Sequence, residues 1–600
     1  MQTPIYLDAN ATSAVLPAAI DAAVAAMADA YGNPSSSHGA GLQARSLLES
    51  VRARACRMLG VGSGRLCFTS GATEGIQTAV LSALRAIVER RARGEATGDL
   101  LVYGATEHKA VADSLAHWNR LLGAGLTLRV LPVDGHGRHR LDILRELAPR
   151  AALVCTMAAN NETGVISDLK GIEAVLRATG SNAYWLVDSV QALGKMDLNL
   201  SSTRIDYAPY SGHKLYAPKG VGMLYVRDGA PYTPLMCGGG QEAGQRAGTE
   251  NMAGVAALGA VLEALEDGAL FRSRQQLAQF RLRLADALGG ALPGVVFNAP
   301  FEWSLATTLN FSAPGFSSAQ LLDLFDAAGV RVSAGSACSS AKAAPSYVLE
   351  AMDLPPWRCA AAVRMSFGPM ADEAFIDAAC ARIARCGAAL RAAALLASAR
   401  PAHGAPGIVQ LAADGASSWL VLDAAGQSCA VIDPQAPLAE RTAGLIRAQG
   451  YRVRAIVDTS AHPDPEGRAA LMLLLADRLD LAANCCGHGW PADGDPIARQ
   501  LDVPALAKLL DACPDALLID VREACEHIAA GAALWRGRTV QSVPLSRIAG
   551  SMAGWLRGVP RPLVFFCRSG GRSAKAAALL RQLGYPNAWH VNETLSLGNG

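Results

Sequence analysis

What this 600-residue chain lacks narrows its class before any motif is considered. Its 14 cysteines include no CxxC pair, and only Cys485 and Cys486 are close neighbours. Neither a zinc site nor a disulfide framework is therefore indicated. Charge of one sign is not in excess: the formal net charge of +2 gives no general attraction to nucleic acid or to a membrane surface. The opening MQTPIYLDANAT has no basic stretch followed by an apolar one, so no signal peptide is expected. No uninterrupted apolar run reaches the roughly 18 residues of a spanning helix. The longest, near residues 471–475, is cut by Asp477 and Arg478. Internal repeats are absent too. What remains is a cytoplasmic enzyme, 51% hydrophobic and 18% charged, too long for a single core.

Three segments are expected. From residue 1 to about 395, short β-rich runs (RLCFTSG, LLVYGAT, AALVCTMAANNETG, AYWLVD) alternate with Ala/Leu/Arg helical patterns. That alternation predicts an α/β fold with a parallel sheet covered on both faces and active groups in the loops at the strands' C-terminal ends. A helical stretch ends at Pro401, and HGAPG reads as a linker. Residues 405–500 carry short strands (SSWLVLD, SCAVIDP, VRAIVDT), and residues 501–600 read as a compact α/β unit.

The first segment holds a constellation of groups. Lys214 sits in Ser211-Gly212-His213-Lys214, after IDYAPY and before a glycine-rich turn. An amine so flanked by small residues and donors suits a Schiff base with an aldehyde cofactor. Thr69-Ser70-Gly71-Ala72-Thr73 lies between a strand and a helix, where N–H and O–H donors cradle a phosphate. Asp188 ends AYWLVD and can face a protonated pyridine nitrogen. Gln191, three residues on, can reach a phenolic oxygen, and His108, beginning a helix after Glu107, can stack on the ring.

With FTSGATE, TEHKAV, NNETG, DSVQALGK, SGHKLYAPKGVG and GSACSS in this order, residues 4–390 resemble the cysteine desulfurases of the class V aminotransferase family, fold-type I pyridoxal-phosphate (PLP) enzymes. The GSAC form resembles that family's first group, whose catalytic loop is long and mobile. The resemblance implies a large domain with a small α/β domain. It implies Lys214 as Schiff-base lysine, Asp188 at the pyridine nitrogen, His108 on the ring, and Asn161 and Gln191 near the phenolic oxygen. Ala72, Thr73, Ser211 and His213 would hold the phosphate, joined by Thr249 of RAGTEN from the partner subunit of a homodimer. Arg364 would take the substrate carboxylate, with Asn33 and Asn161 nearby; a guanidinium–carboxylate pair fixes orientation as well as charge. Gly75-Ile76-Gln77 departs from the Asn-rich continuation usual in the family, as Ala9-Asn10 and Ser13 do mildly near the N-terminus.

Cys338 would then attack the sulfur of L-cysteine, giving L-alanine and a persulfide. A thiol near pKa 8.5 is only slightly ionised at neutral pH, and His108 is the candidate base. A reaction on selenocysteine is the alternative for the same site. So is a sulfur-binding adaptor with a vestigial cofactor site.

In the last segment Cys567-Arg568-Ser569-Gly570-Gly571-Arg572-Ser573 follows PLVFF and opens a helix. Such a loop turns successive N–H groups inward and favours a thiolate. Phosphatase loops place Arg six residues after Cys; here Arg572 falls five after Cys567. The shorter loop, with LLIDVRE and VPLSRI, resembles rhodanese-like domains. That implies a Cys567 persulfide, with Arg568 and Arg572 drawing anionic donors or acceptors and Asp520 and Arg522 structural. Sulfur would pass from Cys338 to Cys567 and on to a downstream acceptor protein or thiol, iron–sulfur cluster assembly among the destinations. A short final helix is expected from VNETLSLGNG.

The middle segment resembles the opening of a metallo-β-lactamase-like domain. Its aligned ligand positions are Ser460, His462, Asp464 and Pro465. Three or four converging ligands are needed, so a degenerate, metal-free spacer is expected. A site completed by His488 with Cys485 or Cys486 is the alternative.

Overall fold

The apolar runs become strands, and their order explains where the polar groups collect. In the computed structural model the described residues are 4–335, 346–398, 408–413, 416–423, 428–448, 450–458, 464–481, 499–531, 534–545, 548–557, 561–582, 585–593 and 595. They form two compact units, one of residues 4–322 with 330–384 and one of 323–329 with 385–600.

In the first unit, strand β1 (Ile5–Tyr6) comes first, and the seven strands that follow build the large sheet. They are β2 (Arg65–Thr69), β3 (Leu100–Gly104), β4 (Thr127–Leu131), β5 (Ala151–Met157), β6 (Tyr184–Asp188), β7 (Tyr207–Ser211) and β8 (Gly222–Val226). Their order is β2-β8-β7-β6-β5-β3-β4. The β4, β3, β5, β6 and β7 pairings are parallel. Strand β8, however, runs antiparallel to both β7 and β2, so the expectation of a parallel sheet is corrected to a mixed one. Only a short connection, residues 212–221, separates β7 from β8. A parallel return needs a crossover of a dozen residues or more; a short link can only bring the chain back alongside.

Both faces of the sheet are covered, so its central strands read as continuous apolar runs. Val102, Val154, Trp185, Val187 and Tyr210 pack on one face, and Leu101, Leu153, Cys155, Leu186 and Tyr207 on the other. The Trp185 indole, with no exposed surface, gives its N–H to Thr156 Oγ1 at 2.9 Å. A small sheet, β12-β10-β9, follows from β9 (Val296–Phe297), β10 (Thr308–Ser312) and β12 (Ala362–Ser366), while β11 (Val330–Arg331) pairs in parallel with β1. The long helix Glu373–Ser398, which passes from residues of the first unit into those of the second, runs over the stretch that was expected to be helical.

The second unit contains two sheets. Strands β13 (Ile408–Ala413), β14 (Ala416–Asp423), β15 (Ser428–Ile432) and β16 (Arg452–Val457) pair in sequence order, the last two in parallel. The other sheet, ordered β17-β22-β21-β18-β20-β19, is formed by β17 (Gln500–Leu501), β18 (Leu517–Asp520), β19 (Leu534–Trp535), β20 (Arg538–Ser542), β21 (Leu563–Phe566) and β22 (Ala588–Val591). Alternation along β15 and β16 sends Cys429, Val431 and Val453 toward the helices Ala439–Ala448 and Pro465–Leu474. It sends Ala430, Ile432, Ala455 and Val457 into one apolar cluster with Ile548, Met552, Trp555 and Phe565 of the C-terminal region. The middle segment thus shares a core with the residues after 501. Of its expected ligand positions, Asp464 caps the helix Pro465–Leu474 by accepting Gly467 N–H at 2.9 Å. Ser460, His462, Cys485, Cys486 and His488 lie outside the described residues, as do the linker 401–407 and the tail 596–600. Among the described residues no group of three or more His, Cys, Asp or Glu side chains could hold a metal ion. No helix among them is long and apolar enough to cross a membrane.

Candidate functional site

The site of the first unit gathers where the parallel strands end. Asp188 is the last residue of β6, and Ser211 the last of β7; Gly212, His213 and Lys214 follow in a single helical turn. Ala72 and Thr73 open the helix Ala72–Ala92, which continues β2. The unsatisfied N–H groups of its first turn and its dipole favour an anion there.

Asn10 joins these elements, and sequence reading had passed over it as a mild variant. Only 1% exposed, it accepts on its main-chain oxygen from Lys214 Nζ at 2.7 Å and from Gln191 Nε2 at 3.2 Å. Ala11 O takes a second Lys214 hydrogen at 2.7 Å. The Asn10 side-chain amide donates to Asn161 O at 3.2 Å and Thr308 Oγ1 at 2.9 Å. Asn161 O also accepts from Arg364 Nη1 at 3.0 Å, and Arg364 Nη2 pairs with Asp8 at 2.6 Å. Lys214, Gln191 and Asn161 are therefore tied together through Asn10, and Arg364 joins them through Asn161 O. Among the described residues, Asn161 Oδ1 and Arg364 Nε are buried here without a hydrogen-bond partner. Such atoms are costly to leave unmet, and both fit a polar ligand lying between the lysine and the guanidinium.

The electrostatics suit a charged aromatic ligand. Burial raises the Asp188 carboxyl, while Val190 N–H at 3.0 Å, His108 and Lys214 oppose it. A cationic ring nitrogen would relieve that burial penalty. Burial first, then Lys214 and Lys219, push His213 down to about 4. Its ring is held by Thr12 Oγ1 at 3.1 Å, so it stays neutral near pH 7. Behind them Glu107, 4% exposed, is held well above the ordinary carboxylate range by burial and then by Asp188. Its Oε1 accepts Met157 N–H at 2.7 Å. Glu162, fully buried, is raised by burial too and accepts from Ser346 Oγ at 2.6 Å.

His108 is the N-cap of the helix Lys109–Leu121, its Nδ1 accepting Ala110 N–H at 3.2 Å. A backbone N–H only donates, so in the neutral ring the hydrogen sits on Nε2. Nε2–H is thereby left to donate a hydrogen bond, and a role as base requires that Nδ1 leave the cap. Thr249 is exposed on the loop after residue 236, and Asn33 is exposed with its Oδ1 turned back to Ser35 N–H at 2.9 Å. Cys338 lies outside the described residues.

Besides Asn10, Lys195 was missed. It carries its amine into the same network, 2.6 Å from Gln191 Oε1 and 3.2 Å from Asn10 Oδ1. It stands four residues after Gln191 in DSVQALGK, the spacing of adjacent helical turns, but a lysine is usually a surface charge.

In the second unit, Cys567 follows β21 and is 2% exposed. Its Sγ lies 3.4 Å from the Ser573 N–H that donates to it. Ser573 Oγ in turn has Gly570 O at 2.9 Å and Val591 O at 3.1 Å, which share its one hydrogen. Gly570 has φ +79°, and a Cβ there would meet Asn592 Cα at 3.0 Å; only glycine fits both conditions. Ser569 is exposed and Arg568 half-buried, and Gly571 begins the helix Gly571–Gln582. Arg572 turns back onto Glu526 in a two-pronged pair of 2.6 and 2.9 Å, so its guanidinium braces the loop. Asp520, set against Arg522 at 2.7 Å and His527 at 2.8 Å, feels burial raising it, but those two partners bring it down to about 2.

Residues 5–378 match the aminotransferase class-V family, and residues 502–596 match the rhodanese-like domain. A cysteine desulfurase of Bradyrhizobium diazoefficiens is 38% identical over 378 residues, spanning 63% of this chain and 92% of that relative. One from Trichormus azollae is 37% identical over 374 residues, 62% of this chain and 90% of its own length. Among solved structures, a NifS-like protein superposes with a TM-score of 0.57 at 30% identity, covering 64% of this chain and 98% of the other. The NifS-like protein from Rickettsia africae gives 0.53 at 26% identity, covering 63% and 98%.

Proposed function

Because the chain belongs to the aminotransferase class-V family and is a PLP-dependent cysteine desulfurase with a rhodanese-like domain, we propose that sulfur taken from L-cysteine by Cys338 is relayed to Cys567. The observation that carries the first half is the meeting of Lys214, Gln191 and Asn161 on Asn10, with Arg364 joined to them through Asn161 O. When bound, the cofactor supplies an electron sink that loosens the substrate's Cβ–S bond.

The chain's own groups do the rest. Lys214 would hold the cofactor aldehyde, Asp188 would face the pyridine nitrogen, and the helix opening at Ala72 would take the phosphate with Thr73, Ser211 and neutral His213. Arg364, buried at 1% exposure, orients the substrate carboxylate, exchanging part of its hold on Asp8 for it. The Cys338 thiolate attacks the substrate sulfur; the Cβ–S bond breaks, an S–S bond forms, and L-alanine leaves after the three-carbon fragment regains a proton. His108 is the base for the Cys338 thiol, taking its proton on Nδ1 once that nitrogen leaves the helix cap.

In the relay, the Cys567 thiolate attacks the outer sulfur of the Cys338 persulfide. One S–S bond forms on Cys567 as the other breaks, and Cys338 leaves as thiolate. The N–H of Ser573 directed at Cys567 Sγ at 3.4 Å supports the placing of a sulfur atom at the mouth of the helix Gly571–Gln582. A homodimer belongs to the same reading, its support being that Thr249 is exposed and thus within reach of a second subunit. The final acceptor is a thiol or a protein of sulfur assembly, such as an iron–sulfur scaffold.

The test is persulfide mapping by mass spectrometry after a pulse of sulfur-labelled cysteine. Cys338→Ser should stop alanine production. Cys567→Ser should keep alanine production and lose the label from residues 501–600. Label unchanged there in Cys567→Ser would sink the relay, and full activity in Cys338→Ser would sink the mechanism.

A further inference from the structure

We propose that Lys195 is a positioning residue that fixes which end of the Gln191 amide faces the cofactor. The inference rests on the reading that Gln191 meets the cofactor's phenolic oxygen. Lys195 stands apart from the residues assigned so far: a buried lysine, 8% exposed, on the stretch between β6 and β7. Its contacts decide the matter. Nζ lies 2.6 Å from Gln191 Oε1 and 3.2 Å from Asn10 Oδ1.

The Asn10 end is fixed independently, because its Nδ2 is spent on Asn161 O and Thr308 Oγ1, two acceptors. Its Oδ1 must therefore be the atom facing Lys195. As an ammonium the lysine has no lone pair at all. Even as a neutral amine it has two hydrogens, one for each oxygen. The Gln191 amide is thus locked with its oxygen on Lys195 and its NH2 on the other side. That NH2 rests 3.2 Å from Asn10 O, the same oxygen that holds Lys214 Nζ at 2.7 Å. A donor is therefore presented beside the Schiff-base lysine, where the reversed amide would present a carbonyl. Burial, then Lys214 and Arg364, push Lys195 down to about 7. The groups facing it are those two cations and the amides of Asn10 and Gln191, with Asp188 opposite Lys214.

The donor has a measurable consequence. An N–H given to the phenolic oxygen draws electron density from it and weakens its hold on the proton shared with the Lys214 nitrogen. The near-visible absorbance of the holoenzyme then changes with pH at a lower midpoint. Without Lys195 the amide is held only by its 3.2 Å bond to Asn10 O, its NH2 is less firmly aimed, and the midpoint rises.

The experiment is a spectrophotometric pH titration of full-length holoenzyme, with cofactor content and thermal unfolding checked for each variant. Lys195→Met should raise the midpoint by about one unit, a tenfold change in the proton equilibrium. Lys195→Arg, which still donates, should stay within a few tenths of wild type and serves where the Met variant folds poorly. Gln191→Ala should raise the midpoint as well. In that background Lys195→Met should add almost nothing, since it acts through an amide that is gone. An unchanged midpoint in Lys195→Met, beside a shifted one in Gln191→Ala, would overturn the inference. So would additive shifts in the double variant, which mark the lysine as a distant charge only. No shift in Gln191→Ala would instead overturn the reading of Gln191 on which the inference stands.

Discussion

Arg52→Met should loosen the loop that carries Thr249 and lower the stability of the first unit together. Glu242, on that loop, is held at φ +51° and its neighbour Ala243 at +54°, a conformation that costs a residue with a Cβ about 1–2 kcal/mol. The Glu242 carboxylate opposes that strain: its two oxygens take Arg52 Nη1 and Nη2 at 2.8 Å each, and Oε2 also takes Phe68 N–H at 3.0 Å. The side chains are 3% and 19% exposed for Glu242 and Arg52. Breaking a buried pair from one side costs about 3–5 kcal/mol; with Arg52 a fifth open to water, the lower end, about 3 kcal/mol, applies. The unit has roughly 370 residues, and at ~2.1 cal/mol/K of unfolding entropy per residue that loss lowers Tm by about 4 °C. Removing both charges, in Arg52→Met with Glu242→Gln, should return about half of it, because the stranded carboxylate is then gone. If Thr249 binds the cofactor phosphate across a dimer, the cofactor Kd should rise about fivefold to tenfold in Arg52→Met, the equivalent of ~1–1.4 kcal/mol of lost loop order. Calorimetry and cofactor titration of the dialysed protein read the two effects. A Tm drop under about 1 °C, or a double variant as unstable as the sum of the singles, would refute the account of Glu242 as the strap of this loop.

Two further outcomes follow from buried groups. Burial pushes His139 down to about 4, with Asp134 opposing weakly, while the unfolded chain titrates near 6.5. The ring is neutral when folded, so its share of stability is complete above about pH 6.5 and is lost as pH falls toward 4, up to ~3 kcal/mol in all. His139→Gln should therefore flatten the acid side of the Tm–pH curve, and equal slopes for the two proteins would contradict this. Ile432, 1% exposed in the cluster that β15 and β16 share with the C-terminal sheet, should cost about 2–4 kcal/mol as Ile432→Ala. Proteolysis should then speed up within residues 408–600 while alanine production holds, and parallel loss of both would speak against separate units.

How far the sequence carried is best judged on particular residues. Strand ends bearing Asp188 and Ser211, and the glycine-flanked turns after Thr69 and Cys567, were legible because a local pattern makes them: an apolar run, a small-residue turn, a helix start. The direction of β8 was hidden behind a rule that holds for long crossovers and fails for a ten-residue link. Asn10 was invisible for a stronger reason. Its partners lie 151 to 204 residues away for Asn161, Gln191, Lys195 and Lys214, and 298 for Thr308; nothing in its neighbourhood announces them. The basic loop marks Arg572 as an anion-seeking group, but the carboxylates it meets, Glu526 and Asp323, lie 46 and 249 residues upstream. Local motifs therefore locate the chemistry, and long-range pairs decide how each group is turned. Lys195 marks the boundary between the two. Its spacing to Gln191 was in plain view, yet its burial was not, and burial is what converts a surface charge into a hydrogen-bond clamp.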